Sequence, residues 1–353
     1  MERTLRFLGS CVLLVLGCGA IAAPQYNFFE VGNTVLDSAN PPSVGLSADN
    51  AVSWAIVSRD FVQRESFVWR SGIKTDTTIL APPLLWGRLT PGGNLWNSGY
   101  YFNGVSGVAF GLPQNVFNLD TPQVGAFNDS GTGVGFTRNP DGFYIGYVFQ
   151  NGKPTLTNAP GNGQFRFQDI NQGGEAIGWG DNSGTFGPDQ VYLWKNGQYR
   201  NVTSFVTNPS QVGSSTWRIN DVGTFAGKDR YYVPDGNGGY IAKRINDFGD
   251  GRQLGIADLN NANWSVGAGV RFTDGSSYGF VSNGVDSWKL TEVTAFPTGA
   301  SQIWPTAIND NGWIAGYYLK DNQYHAFAMQ PVPEPLTLLT LGIGVAALRR
   351  RRK

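Results

Sequence analysis

The sequence predicts an all-β fold, a β-propeller of about seven four-stranded blades, on three observations. A short turn phrase returns along the body at spacings of 40 to 49 residues. A second phrase, an aromatic strand ending in Asn-Gly or a close variant, recurs between its copies. The composition is also that of tight turns and half-buried pleated surfaces: 48 glycines, 19 prolines and 13% aromatics in 353 residues. Charged residues are only 15% and sum to zero, which argues against a nucleic-acid partner, because neutralising phosphates needs a basic surplus.

The chain opens on Met1-Glu2-Arg3-Thr4-Leu5-Arg6, an apolar core from Cys11 to Leu16, and Gly17-Cys18-Gly19-Ala20-Ile21-Ala22-Ala23. A basic start, a short apolar run and an Ala-x-Ala site (Ala20-Ile21-Ala22) predict a secretory signal peptide over residues 1–22, read by signal peptidase and the export machinery. Val15-Leu16-Gly17-Cys18 is the competing lipoprotein-like site. Leu16 fits that motif poorly, and lipidation of Cys18 stays as the alternative. Both cysteines of the chain, Cys11 and Cys18, lie in this stretch. Without it the body has no thiol for a disulfide or a thiolate metal site.

Residues 23–331 form the predicted repeat domain. Its turn phrase reads Asn128-Asp129-Ser130-Gly131, Asn171-Gln172-Gly173-Gly174, Asn220-Asp221-Val222-Gly223 and Asn309-Asp310-Asn311-Gly312, with a weaker copy at Asn260-Asn261-Ala262. Each is preceded by an apolar residue and followed by a Gly or Gly-aromatic step, such as Ile177-Gly178-Trp179. Such turns close β-hairpins, since Asn and Gly tolerate left-handed backbone angles and Asp can hydrogen-bond the turn. The second phrase, as in Phe149-Gln150-Asn151-Gly152 and Trp194-Lys195-Asn196-Gly197, is a further hairpin signal. Two hairpins make four strands, and a four-stranded unit of this period is a propeller blade. A sandwich, a barrel or an open β-solenoid are the alternatives. Gly45 to Asn50 is a worn first copy, and one degenerate unit is expected near 84–120, with Gly104 to Val108 as its best candidate. After Asn309 too little chain remains for a full blade, so Tyr26 to Leu36 is expected to complete the last one and remove exposed sheet edges.

No cofactor-binding, metal or catalytic set emerges, and the reading is non-enzymatic. His325 is the only histidine, leaving one candidate base, which reads as packing. No loop has the alternating carboxylates of a calcium site; Asp235-Gly236-Asn237-Gly238-Gly239 is the richest and reads as a turn. Glu65, Glu175 and Glu292 are scattered, although a glycosidase pair can meet in space without meeting in sequence. Trp54, Trp69, Trp194 and Trp264 read as core. Trp86, Trp96, Tyr100 and Tyr101 sit in an irregular stretch where stacking on a sugar competes with ordinary loop packing, and packing is favoured.

The last segment, 332–353, runs Val332-Pro333-Glu334-Pro335, an apolar stretch Leu336 to Leu348, and Arg349-Arg350-Arg351-Arg352-Lys353. As a helix at about 1.5 Å per residue the apolar stretch reaches roughly 20 Å, a short membrane segment with its arginines on the cytoplasmic side. The order of motif, apolar helix and basic end resembles the PEP-CTERM sorting signal. That resemblance implies processing by exosortase near Pro333-Glu334-Pro335, transient membrane anchoring, and a place at the surface of an exopolysaccharide-forming Gram-negative cell, with polysaccharide as the candidate partner. The Asn-Asp-x-Gly units resemble bacterial HAF repeats over most of 45–330, which supports a repeat architecture only. The function expected is a structural or binding component of the cell surface or matrix; the alternative is a propeller enzyme, glycosidase or lyase, acting on envelope polysaccharide. Intact mass of the protein from its native cell envelope is expected to show loss of residues 1–22 and of the chain beyond the Pro-Glu-Pro region. A full-length apolar tail in the inner membrane would overturn the sorting assignment.

Overall fold

The computed structural model describes residues 23–333, apart from 34–40, 58–63, 78–87, 97–99, 103–106, 110–122, 139–141, 158–159, 161–162, 182–188, 207–215, 247, 272 and 274–275. The expected signal peptide with Cys11 and Cys18, and the sorting segment from Glu334 onward with Arg349 to Arg352, lie outside the described residues. Among the described residues no helix is long and apolar enough to cross a membrane.

Seven four-stranded antiparallel sheets follow one another, each numbered here as a blade from its inner strand outward. Blade 1 holds β2 (Ser43–Leu46), β3 (Val52–Val57), β4 (Arg64–Arg70) and β5 (Ile73–Asp76). Blade 2 holds β6 (Arg88–Leu89), β7 (Leu95–Trp96), β8 (Tyr100–Phe102) and β9 (Gly107–Ala109). Blade 3 holds β10 (Gln123–Phe127), β11 (Gly133–Arg138), β12 (Tyr144–Gln150) and β13 (Lys153–Leu156). Blade 4 holds β14 (Phe165–Ile170), β15 (Ala176–Gly180), β16 (Gln190–Lys195) and β17 (Gln198–Asn201). Blade 5 holds β18 (Arg218–Ile219), β19 (Phe225–Gly227), β20 (Arg230–Pro234) and β21 (Tyr240–Arg244). Blade 6 holds β22 (Gln253–Leu259), β23 (Ser265–Val270), β24 (Ser277–Ser282) and β25 (Ser287–Lys289).

Blade 7 closes the ring. Its inner strands are β26 (Ser301–Ile308), β27 (Ile314–Lys320) and β28 (Gln323–Pro331), and its outer strand is β1 (Tyr26–Asn33) from the other end of the chain. The two termini run antiparallel, from Tyr26 opposite Pro331 to Asn33 opposite His325. One further bond, from Val332 N–H to the Gln25 carbonyl at 2.8 Å, continues the ladder. The lone histidine is absorbed here: His325 stacks on Tyr318 with ring centroids 4.9 Å apart, and its Nδ1 lies 3.2 Å from Glu30 Oε1.

Apolar clusters lie between neighbouring sheets. Ile177, Trp179 and Val191 of blade 4 meet Trp217, Phe225 and Tyr232 of blade 5, and Phe165, Phe167 and Trp194 of blade 4 meet Val134 and Val148 of blade 3. Middle strands are therefore buried on both faces, as in Ala176–Gly180, while outer strands such as Gln198–Asn201 face solvent. Trp96 and Tyr101, weighed as sugar-stacking candidates, are 7% exposed and pack against Phe127. Trp86 and the Tyr100 side chain lie outside the described residues.

Each blade joins its first two strands by the same turn, and its left-handed residue is the fourth: Asn50, Gly93, Gly131, Gly174, Gly223, Asn263 and Gly312. In the unit of Asn171 that role falls to Gly174, not Gly173. The degenerate second blade carries the turn at Thr90-Pro91-Gly92-Gly93, whereas Gly107 and Val108 belong to its outermost strand.

The opening asparagine does more than the turn requires. Its Oδ1 accepts the N–H four residues on, for instance Thr224 N to Asn220 Oδ1 at 2.9 Å, which caps its own turn. Its Nδ2 reaches the asparagine carbonyl of the next blade: Asn128 to Asn171 at 3.2 Å, Asn171 to Asn220 at 3.0 Å, Asn220 to Asn260 at 2.9 Å, Asn260 to Asn309 at 3.0 Å. Asn309 donates to the Ser47 carbonyl at 2.8 Å, across the closure. The following residue forms an outer ring, its N–H given to the next blade's side chain: Asp129 to Gln172, Gln172 to Asp221, Asp221 to Asn261, Asn261 to Asp310. The aspartates expected to brace their own turns thus accept from the neighbouring blade.

Asn220→Asp keeps the turn-capping oxygen but removes the donor to the buried Asn260 carbonyl and sets a carboxylate against it. A loss of about 2–3 kcal/mol in urea unfolding is expected, more than for Asp221→Asn at the exposed outer ring. Equal losses would mean that the inner belt carries no special share.

Candidate functional site

The residue two places before each turn lies at one height around the axis. In blade order these are Gly45, Arg88, Ala126, Asp169, Arg218, Asp258 and Ala307, and all seven line an axial cavity of about 320 Å³. Gly45, Arg88 and Arg218 sit in regular pairs opposite Ser53, Trp96 and Ala226, while in the other four blades a β-bulge in the inner strand turns this position toward the axis. It falls between Val124 and Ala126, Phe167 and Asp169, Ile256 and Asp258, and Pro305 and Ala307. The bulge presses an inner-strand carbonyl onto the second strand and leaves no room for a side chain. A Cβ at Gly178 would lie 2.2 Å from the Arg166 carbonyl oxygen, and one at Gly267 would lie 2.1 Å from that of Gly255. This is why the turn phrase leads to a glycine.

Four of the seven positions carry charge. Asp169 and Asp258 flank Arg218, one blade on either side, while Arg88 stands across the channel between the small residues Gly45 and Ala126. Both carboxylates act as clips between blades. Asp169 accepts Ile170 N–H and, from blade 5, Ile219 N–H, each at 2.9 Å. Asp258 accepts Leu259 N–H and, from blade 7, Ile308 N–H, again each at 2.9 Å. Arg218 is held by its Nε to the Ala257 carbonyl at 2.7 Å and by Nη1 to the Trp217 carbonyl at 3.1 Å. Arg88 is different: among the described residues no group hydrogen-bonds its guanidinium, which lies 5.7 Å from the Trp96 ring centroid. It is open to water in the lumen yet walled in by protein.

The electrostatics follow from that enclosure. Desolvation, with Arg218 as a like charge, brings Arg88 down to about 10, against the attraction of Asp169 and Asp258. Desolvation raises the Asp169 carboxyl above the usual range, although Arg218 and two backbone N–H groups pull it down. Desolvation also pushes Asp258 up to about 7; the like charge of Asp169 adds to it, and the N–H of Ile308 and the charge of Arg218 oppose it.

The sequence-marked residues fall mostly elsewhere. Asn171, Asn220, Asp221, Asn260, Asn309 and Asp310 line the cavity where the turns meet the channel, but their polar groups are used in the belt. Glu65 pairs with Lys74 at the surface, and Glu292 accepts Lys289 N–H. Asp235 closes its own loop by accepting the N–H of Asn237 and Gly239. No group of three or more His, Cys, Asp or Glu suited to a metal occurs among the described residues. Sequence reasoning missed Arg88, Asp169, Arg218 and Asp258. The signal was their shared register, two residues ahead of the turn.

No family model matches the chain, and no curated protein sequence matches it. Solved structures are similar at low identity. The β-propeller domain of the Trilobed protease from Pyrococcus furiosus is 9% identical, with a TM-score of 0.48, covering 85% of this chain and 94% of that one. The Aleuria aurantia lectin is 8% identical at a TM-score of 0.42, covering 84% and 97%. A putative gluconolactonase is 10% identical at 0.39, covering 88% and 94%.

The folded protein keeps the Asp258 proton to about pH 7, whereas the unfolded chain releases it near 3.8. The folded state therefore binds more protons in between, and stability falls as pH rises through that window, by up to about 1.4 kcal/mol per unit for one group. Asp258→Asn is expected to flatten this slope in urea midpoints measured from pH 4 to 8. A slope identical to that of the parent protein would show that Asp258 does not titrate there.

Proposed function

We propose that this protein is an exported, surface-sorted propeller without enzymatic activity, which binds an acidic saccharide of the envelope or matrix in its axial channel. One observation carries the reading: the channel carboxylates have both oxygens engaged by backbone N–H groups of two blades, while among the described residues no hydrogen bond holds the Arg88 guanidinium. The site therefore offers a fixed cation to a ligand, backed across the lumen by Arg218. A guanidinium without partners in a walled cavity is the natural counterpart of a carboxylate, which it can meet with two parallel N–H donors. Export and delivery to the surface rest on the signal-peptide pattern and on the resemblance of residues 332–353 to the exosortase signal.

A second reading, a glycosidase or lyase acting on envelope polysaccharide, draws on a different observation. Asp169 and Asp258 face one cavity, and a carboxyl raised to about 7 is poised as a general acid. Against it, each carboxylate is spent in holding two blades together, and a nucleophile or acid needs an oxygen free to meet the substrate.

Calorimetry of the purified protein with oligogalacturonate and oligoglucuronate is expected to show saturable binding that Arg88→Ala weakens about 10- to 100-fold, with no release of reducing ends. Failure of both oligomers to bind, or equal binding by the variant, would sink the channel reading. Reducing ends released by the parent and lost in Asp258→Asn would establish the enzyme instead.

A further inference from the structure

A second cavity, of about 530 Å³, opens between blades 3 and 4 and is lined by Arg138, Gly142, Tyr144, Gln164, Arg166, Trp179 and Asp189. It lies at the far end of the blades from the asparagine turns, because Arg138 ends β11, Tyr144 begins β12 and Arg166 stands near the start of β14. Nothing in the axial site reaches it.

Its walls are a stack. The Arg166 guanidinium lies 3.3 Å from the Tyr144 ring centroid, 4.5 Å from that of Trp179 and 5.6 Å from that of Phe136. Arg138 covers Tyr144 at 4.6 Å and donates from Nη2 to its hydroxyl. Gln164, itself buried, donates to Asp181 at 3.0 Å, which leaves its side-chain carbonyl as an acceptor. These contacts order the cleft without using all of its polar groups. Arg166 Nε and Trp179 Nε1 are buried donors with no hydrogen-bond partner among the described residues, and Trp179 is 7% exposed. Among the described residues no group hydrogen-bonds the Asp189 carboxylate. Burial and the neighbouring Asp181 disfavour its charge, against the pull of Arg166.

Buried donors left without partners are costly, so a native site that holds them beside an idle acceptor calls for a ligand bringing the complementary groups. Formal charge selects the class. Asp189 in the lining and the buried Asp181 behind Gln164 together balance Arg138 and Arg166, so an added carboxylate or sulfate would bring net negative charge and lie beside Asp189. A pair of adjacent hydroxyls fits better, one oxygen accepting from arginine while the other hydroxyl donates to aspartate, with the aromatic edges against the C–H groups of the ring. The volume falls in the roughly 300–1,000 Å³ range of small-molecule sites.

We propose that the cleft between blades 3 and 4 binds a neutral pyranose through adjacent hydroxyl groups, with Arg166 as donor, Asp189 as acceptor and Tyr144 and Trp179 as the apolar wall. This site is independent of the axial reading, since it takes an uncharged sugar on different blades. Titration of the full-length protein with the methyl glycosides of glucose, galactose, mannose and fucose, followed by calorimetry and tryptophan fluorescence, is expected to show saturable binding of at least one. Asp189→Asn, at a partly exposed position that leaves the stack intact, is expected to weaken it about tenfold or more. Arg166→Lys, which keeps the charge but loses the planar fork, should do the same, and Arg88→Ala should leave it unchanged. Thermal midpoints of the variants separate lost binding from lost folding. Absence of saturable binding by all four glycosides, or binding unaltered in Asp189→Asn with the fold intact, would overturn the proposal; loss of binding in Arg88→Ala would overturn its independence from the channel.

Discussion

The whole ring hangs on a carboxamide that is used at both ends. In each strong copy of the repeat the asparagine Oδ1 caps its own turn and the Nδ2 donates to the same turn of the next blade. Asparagine suits the place because it is a short side chain with both an acceptor and donors. Aspartate would cap but could not donate. The first blade shows the limit of a smaller residue: Ser47 Oγ caps its turn, accepting Ala51 N–H at 3.0 Å, but the link onward to blade 2 is made by backbone, Ala48 N–H to the Pro91 carbonyl at 2.7 Å. All five asparagines are buried, so these bonds form away from water, where an unpaired carbonyl or amide is costly.

The belt sets the height of the inner strands, and the channel chemistry follows from that height. With the turn pinned, one residue per blade faces the axis; in four blades a bulge aims it there, and an inner-strand carbonyl forces a glycine on the neighbouring strand. The repeat can then vary the axial residue freely, from glycine and alanine to arginine and aspartate. Two aspartates serve as a second set of clips between blades 4 and 5 and between blades 6 and 7. What is left for a ligand is the side chain the scaffold does not use, Arg88.

Closure ties the architecture to the expected processing. The ring is sealed by antiparallel pairing of β1 with β28, and the bond from Val332 to Gln25 brings the two ends of the described fold together at one edge of blade 7. The expected cut after Ala22 precedes β1, and one at the Pro-Glu-Pro motif follows β28. Neither would remove a strand, so the sheet that closes the ring would survive both.

The two repeat phrases pointed to a propeller of four-stranded units, over a sandwich, barrel or solenoid. With a worn first copy, a degenerate second and the short chain after Asn309, they gave about seven blades and a last blade completed by the N-terminal strand. Turn chemistry is local: four or five residues carry the whole signal, and its period counts the blades. Other features depended on tertiary structure because they are made between blades 40 to 50 residues apart. Sequence could mark Asn220 as a turn former, but only the closed ring shows where its Nδ2 goes. Asp169 and Asp258 looked like ordinary polar residues beside a turn until the bulges turned them inward across from Arg88. The cleft of Arg166, Tyr144 and Trp179 exists only because blades 3 and 4 stack, so neither sequence segment carries its chemistry alone.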